Sequence, residues 1–154
     1  MTTTTMSATT APSRLAAVRA QLARFPVTIL SLLFRLAVAG VFLKAGLNKI
    51  ASWELTVQLF ADEYKVPVFS PEVAARLAST FEIGCSLLLV VGLFTRVATL
   101  PLLGMIAVIQ LFVYPSAWSE HLTWASILVF LLTRGPGALS VDRAIGLEPQ
   151  ASSR

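Results

Sequence analysis

Glu82 is the only acidic residue deep inside the long apolar stretches of the sequence. Placing a carboxylate at membrane depth costs about 2.5–3.5 kcal/mol on insertion scales, so such a residue is usually paired, hydrated or functional. A carboxylate there has the chemistry to hold a basic partner, to carry a proton or to bind a polar ligand. Which of these it does depends on the basic group that reaches it.

Two basic residues of the first apolar stretch are candidate partners. Arg35 lies about 12 Å along the axis of this stretch, and Lys44 lies near its outer end. They lie on nearly opposite faces of a helix, and the depth of Glu82 falls between theirs. We favour Lys44 slightly, because Arg35 can also extend towards the headgroups. The sequence predicts a buried polar cluster of Glu82, Lys44 and Arg35, either structural or functional, unless Glu82 is protonated and has no special role.

Four more residues are candidate contacts for a ligand or partner: His121, Gln110, Cys85 and Trp124. Cys85 shares a helix face with Glu82, but a buried cysteine more often only packs. His121 is expected near the membrane surface, where a histidine more often contacts a headgroup or the backbone than a ligand. Gln110 is expected to hydrogen-bond across helices, and Trp124 to belong to an outer aromatic belt.

The composition indicates a membrane protein. Of 154 residues, 56% are hydrophobic and only 13% are charged, whereas a soluble domain has about 25% charged residues. The net charge of +4 comes from basic residues that flank apolar runs without interleaved aromatics, so no nucleic-acid partner is expected. One cysteine and one histidine exclude an internal disulfide, a Cys/His zinc site and a bis-histidine haem. We expect no catalytic residue, no metal site and no intrinsic cofactor, which favours a protein that is not an enzyme.

Four apolar stretches are predicted to span the membrane as helices, at about 27–47, 73–94, 97–114 and 118–133. The predicted fold is all-α: an integral membrane four-helix transmembrane bundle over residues 14–147. Short amphipathic surface helices are expected at the N-terminus, in the first outer loop near 53–61 and at the C-terminus over 140–147. Residues 1–13, which are rich in threonine, and residues 148–154 are expected to be disordered.

The basic residues near the ends of these stretches predict the orientation. The N-terminal flank carries Arg14, Arg19 and Arg24 without an acid, and the connection between the third and fourth stretches has no lysine or arginine. Basic residues concentrate on the cytoplasmic side. Both termini are therefore predicted to be cytoplasmic.

The chain resembles the DoxX family of small four-helix bacterial membrane proteins over about residues 35–145, in the segments RLAVAGVFLKAGLNKI, FEIGCSLLLVVGLFTR, QLFVYPSAWSEHLTWA and LLTRGPGALSVDRAI. The family pattern matches at Lys44, Gly46, Lys49, Glu82, Gly84, Gly92, Arg96, Arg134–Gly137 and Asp142-Arg143. The resemblance implies a multi-pass protein of the bacterial inner (plasma) membrane. It carries over no catalytic residue.

The family takes its name from a subunit associated with a terminal quinol oxidase and thiosulfate:quinone oxidoreductase. The resemblance therefore implies a non-catalytic accessory subunit of a membrane redox, quinone-linked or stress-response (thiol or metal) system. Its partners would be membrane lipid and a partner protein or a second copy. A bound quinone needs an apolar site with few polar groups, which Lys44, Glu82 and His121 could supply. Two alternatives stay open: a small oligomeric transporter of a metal ion, proton or small anion, and a structural anchor for a partner protein.

Overall fold

The computed structural model describes residues 14–23 and 25–148, and the regular structure in this part of the chain is all helical. The α-helices are α1 (Arg14–Leu22), α2 (Val27–Ala51), α3 (Trp53–Leu59), α4 (Pro71–Val91), α5 (Thr95–Val108), α6 (Trp118–Arg134) and α7 (Val141–Ala144). Two of them, α3 and α5, continue directly into π-helical segments, Phe60–Tyr64 and Ile109–Val113. The prediction of an all-α fold is confirmed. The tails expected to be disordered, save residue 148, and Arg24 lie outside the described residues.

Among the residues that the structure describes, three helices are long and apolar enough to cross a membrane: α2, α4, and α5 together with its π-helical extension. The fourth predicted span corresponds to α6, whose 17 residues fall short of the ~20 that a straight span needs. The first predicted span ends too early, because α2 stays helical to Ala51. This extension matters for function, since it makes Lys49 a helical residue.

The four long helices pack in a closed order, with α2 against α4, α4 against α5, α5 against α6 and α6 against α2. Apolar side chains from each of them meet in one core, which includes Phe42, Leu89, Leu102 and Leu128. Burial of these side chains, at roughly 25 cal/mol per Å² of apolar surface, favours this arrangement over separate helices in water. In lipid the same contacts contribute through close packing.

Gly46 allows α2 and α4 to approach each other closely. A Cβ atom on Gly46 would lie 2.7 Å from Cγ1 of Ile83 and 3.0 Å from Cβ of Glu82. The backbone of α2 therefore passes directly over the first atoms of the Glu82 side chain. Lys49 lies one helical turn beyond Gly46, so it is brought to the same place.

Hydrogen bonds and an ion pair hold the segment after α6 against the turn between α4 and α5 and the start of α5. The carboxylate of Asp142 accepts hydrogen bonds from the backbone N–H groups of Phe94 (2.7 Å) and Thr95 (2.9 Å) at the start of α5. Arg96 donates to the carbonyl of Leu132 (2.5 Å) and pairs with Glu148 (2.7 Å). These bonds satisfy helix-end groups that have no partner within their own helix.

The structure has a helix in each of the three regions where a surface helix is predicted, with different bounds. The apolar residues of α1, among them Leu15 and Leu22, are exposed. In the connection between α2 and α4, α3 and its π-helical continuation extend from residue 53 to residue 64, past the predicted end at about 61. The C-terminal helix α7 covers only four residues, with the Ser140 hydroxyl accepting from the N–H of Arg143 as its N-cap.

Candidate functional site

A cavity of about 500 Å³ lies between α4, α5 and the two π-helical segments. Its walls are mostly apolar, with side chains such as Leu77, Phe81 and Met105. Lys49 and Glu82 supply charged groups to the wall. This is the size and character of a site for a small organic molecule, in which a few polar groups fix the orientation of an apolar ligand.

Lys49 and Glu82 form a bidentate ion pair. The ammonium of Lys49 donates to both carboxylate oxygens of Glu82, at 2.7 Å and 2.9 Å. The Glu82 side chain is 4% exposed and that of Lys49 is 20% exposed. The expectation that Glu82 pairs with Lys44 or Arg35 is thus wrong, because the partner is Lys49.

The buried face of α2 explains why Lys49 is the partner. Arg35, Val38, Phe42 and Gly46 are buried at spacings of three or four residues, and Lys49 continues this stripe. Lys44 lies off the stripe and is exposed. The spacing was visible in the sequence, but it points to Lys49 only if the helix is known to continue past residue 47.

Arg35 belongs to a separate site, because its guanidinium lies against Gly92 at the end of α4. Gly92 follows Glu82 by ten residues, which is about 15 Å along the helix axis. Arg35 is 1% exposed and donates to the carbonyl of Leu139 at 2.6 Å. The charge of Asp142 also acts on it. Arg35 therefore ties the C-terminal segment to the helices, and the predicted three-residue cluster does not form.

Two tyrosines of the cavity lining connect the π-helical segments. The hydroxyl of Tyr114 donates to Glu63 at 2.6 Å, and the rings of Tyr64 and Tyr114 meet edge to face at 5.9 Å. The hydrogen bond to Glu63 raises the pKa of Tyr114 above its usual value, so the phenol stays protonated and donates. π-Helical turns occur often at functional sites. No pattern in the sequence indicated them.

His121 and Gln110 form a second polar pair outside the cavity. The Gln110 amide donates to the carbonyl of Pro115 (2.7 Å), which leaves its oxygen to accept from Nδ1 of His121 (2.6 Å). His121 is 4% exposed and lies beside Trp124, with ring centroids 5.6 Å apart. Cys85 is buried in the core. These four candidate contacts are placed away from the cavity lining.

The site offers a particular combination of charge and hydrogen bonding. Lys49 and Glu82 neutralise each other, and the three N–H groups of a lysine ammonium leave one beyond the two that Glu82 accepts. In the part of the chain that the structure describes, no group of three His, Cys, Asp or Glu side chains could hold a metal ion. The cavity therefore presents the Lys49 ammonium as its charged hydrogen-bond donor, balanced by Glu82, in a mostly apolar lining that also includes Tyr64 and Tyr114.

The profile of the DoxX family matches residues 30–115, which include α4 and α5, nearly all of α2 and the cavity with its ion pair. No curated protein and no solved structure is significantly similar to the chain. The match ends before α6, so it does not reach His121 or Asp142. Together with three helices apolar enough to cross a bilayer, it identifies the chain as a membrane protein that belongs to the DoxX family.

Proposed function

We propose that this protein is a non-catalytic accessory subunit of a membrane redox or stress-response system, and that it holds a quinone in the cavity beside Lys49 and Glu82. The observation that carries the proposal is the apolar cavity of about 500 Å³ with a buried, internally neutral ion pair in its wall. A quinone has the matching chemistry: a neutral ring with carbonyl acceptors, joined to an apolar tail.

The neutrality of the ion pair argues for an uncharged ligand. An anion would compete with Glu82 for Lys49, and a cation would compete with Lys49 for Glu82. Either exchange would separate two charges that now hold each other at 2.7 Å with little contact to water. A carbonyl oxygen needs only the third N–H of Lys49. This favours a quinone over the metal ion, proton or small anion of a transporter.

The accessory role follows from the residues that redox chemistry requires. The whole chain has one cysteine, Cys85, and one histidine, His121. Cys85 is buried and His121 already bonds Gln110. Electrons for a bound quinone would therefore come from a partner protein that carries its own cofactor.

The proposed membrane arrangement has four spans, with α6 as a short fourth one, in the bacterial inner membrane. Both termini would lie in the cytoplasm, together with the turn between α4 and α5. Arg96 in the first turn of α5 and the basic N-terminal flank support this orientation. The Lys49–Glu82 pair then lies at membrane depth, within reach of membrane-dissolved quinone.

Purification from native membranes tests this proposal. The protein is isolated in mild detergent, bound lipids are extracted and identified, and co-purifying proteins are identified by mass spectrometry. We expect quinone in the extract and an oxidoreductase among the proteins. Wild-type protein that yields neither would contradict the proposal. Ion flux in liposomes would instead support a transporter, and a partner without quinone or flux would support an anchor.

A further inference from the structure

The cavity beside Lys49 and Glu82 has one opening where α4 and α5 carry exposed lining residues, and further exposed lining residues, Phe69 and Tyr114, lie beyond the ends of these helices. On α4, the lining residues Leu77 and Phe81 are 38% and 39% exposed. On α5, the exposed lining residue is Gly104. Both helices are among those apolar and long enough to cross a membrane. In a bilayer this opening faces hydrocarbon rather than water.

Gly104 keeps the α5 side of the opening wide. A Cβ atom on Gly104 would meet no atom within 4 Å, so close packing does not require glycine here. Its backbone is in the ordinary helical range, so no left-handed conformation requires glycine either. Glycine inside a helix costs about 1 kcal/mol relative to alanine. What the absent side chain does provide is free space at the mouth of the cavity.

We propose that Gly104 is a specificity-determining residue that lets a long apolar tail leave the cavity between α4 and α5. This inference rests on the proposed function, which places the polar ring of the ligand at Lys49. A cavity of about 500 Å³ holds a ring system of drug size, whereas a tail of many isoprene units extends beyond it. The site therefore selects ligands with a neutral carbonyl ring and a flexible tail that stays in the lipid.

Two quinone probes separate ring binding from tail passage. Equilibrium binding to the full-length protein in nanodiscs is measured with a tail-less dimethoxybenzoquinone and with the same ring carrying a decyl tail. Gly104→Phe is expected to weaken binding of the tailed probe about tenfold, because the phenyl ring obstructs the path of the tail out of the cavity, and to change binding of the tail-less probe less than about twofold. Leu77→Trp narrows the opening from α4 and is expected to act in the same way.

Gly40→Phe is the matched control, because Gly40 is an exposed glycine in α2 whose Cβ would also meet no atom within 4 Å, away from the cavity. It should leave binding of both probes unchanged. If wild-type and Gly104→Phe protein bind the tailed probe equally, the role of Gly104 is refuted while the quinone site stands. An equal loss of both probes would assign Gly104 to the ring site instead. A wild-type protein that binds neither probe refutes the proposed function itself.

Discussion

Replacing Glu82 with leucine is expected to lower the free energy of unfolding by about 3 kcal/mol. The substitution leaves the Lys49 ammonium without its partner where α2 packs against α4. Removing one member of a buried ion pair typically costs about 3–5 kcal/mol of stability. The lower end applies because the Lys49 side chain is 20% exposed and keeps some access to polar surroundings. Titration with SDS in mixed micelles, followed by far-ultraviolet circular dichroism, measures the effect.

The double variant Glu82→Leu/Lys49→Met separates the ion pair from the packing. With both charges gone, apolar side chains of similar size fill the same space, and stability should return to within about 1 kcal/mol of wild type. Lys44→Met is the matched control: Lys44 is exposed on the same helix, and its loss should change stability by less than about 0.5 kcal/mol. A double variant as unstable as Glu82→Leu alone would show that Lys49 is not the partner.

Gly92→Ala is expected to destabilise the protein by about 3 kcal/mol or to prevent its folding. Gly92 ends α4 with a φ of +72°, a conformation that costs roughly 1–2 kcal/mol for a residue with a side chain. The added Cβ atom would also overlap Nη1 of Arg35 and lie 2.7 Å from Cβ of Ser140. Arg35 is fully buried, so its guanidinium has nowhere to move without losing the bond to Leu139.

Gly84→Ala is the matched control on the same helix. A Cβ atom on Gly84 would meet nothing within 4 Å, and alanine favours the helix by about 1 kcal/mol. This variant should therefore unfold at the same or a higher SDS concentration than wild type. Equal destabilisation by the two substitutions would contradict the account of the α4–α5 turn, because it would leave the Arg35 contact without effect.

Much of the fold is predictable from the sequence, since it depends on local patterns. Apolar stretches of membrane-spanning length locate α2, α4 and α5, and Ser70-Pro71 marks the start of α4 as its N-cap and first residue. The limits of these helices are harder, because propensity does not show where a helix ends in a mixed segment. A first helix that ends near residue 47 does not include Lys49, so the sequence alone does not suggest Lys49 as the partner of Glu82.

The candidate site is less predictable, because it depends on contacts between distant parts of the chain. Arg35 meets Leu139 across 104 positions, a contact that draws it away from Glu82. Tyr114 contacts Glu63 across 51 positions, and the contact depends on two π-helical turns that no periodic pattern in the sequence predicts. Glu82 itself was identifiable, since an isolated carboxylate in an apolar helix needs an explanation whatever the tertiary structure is.

Binding of the decyl-tailed quinone to wild-type protein and to Glu82→Leu/Lys49→Met in nanodiscs tests the central claim most directly. The double variant should retain the fold and the cavity but lose the free N–H of Lys49. A hydrogen bond from a charged donor contributes about 1.5–3 kcal/mol, so binding should weaken at least about tenfold, while Lys44→Met binds like wild type. Equal affinity of the folded double variant and the wild type would contradict the assignment of Lys49 as the group that holds the ligand.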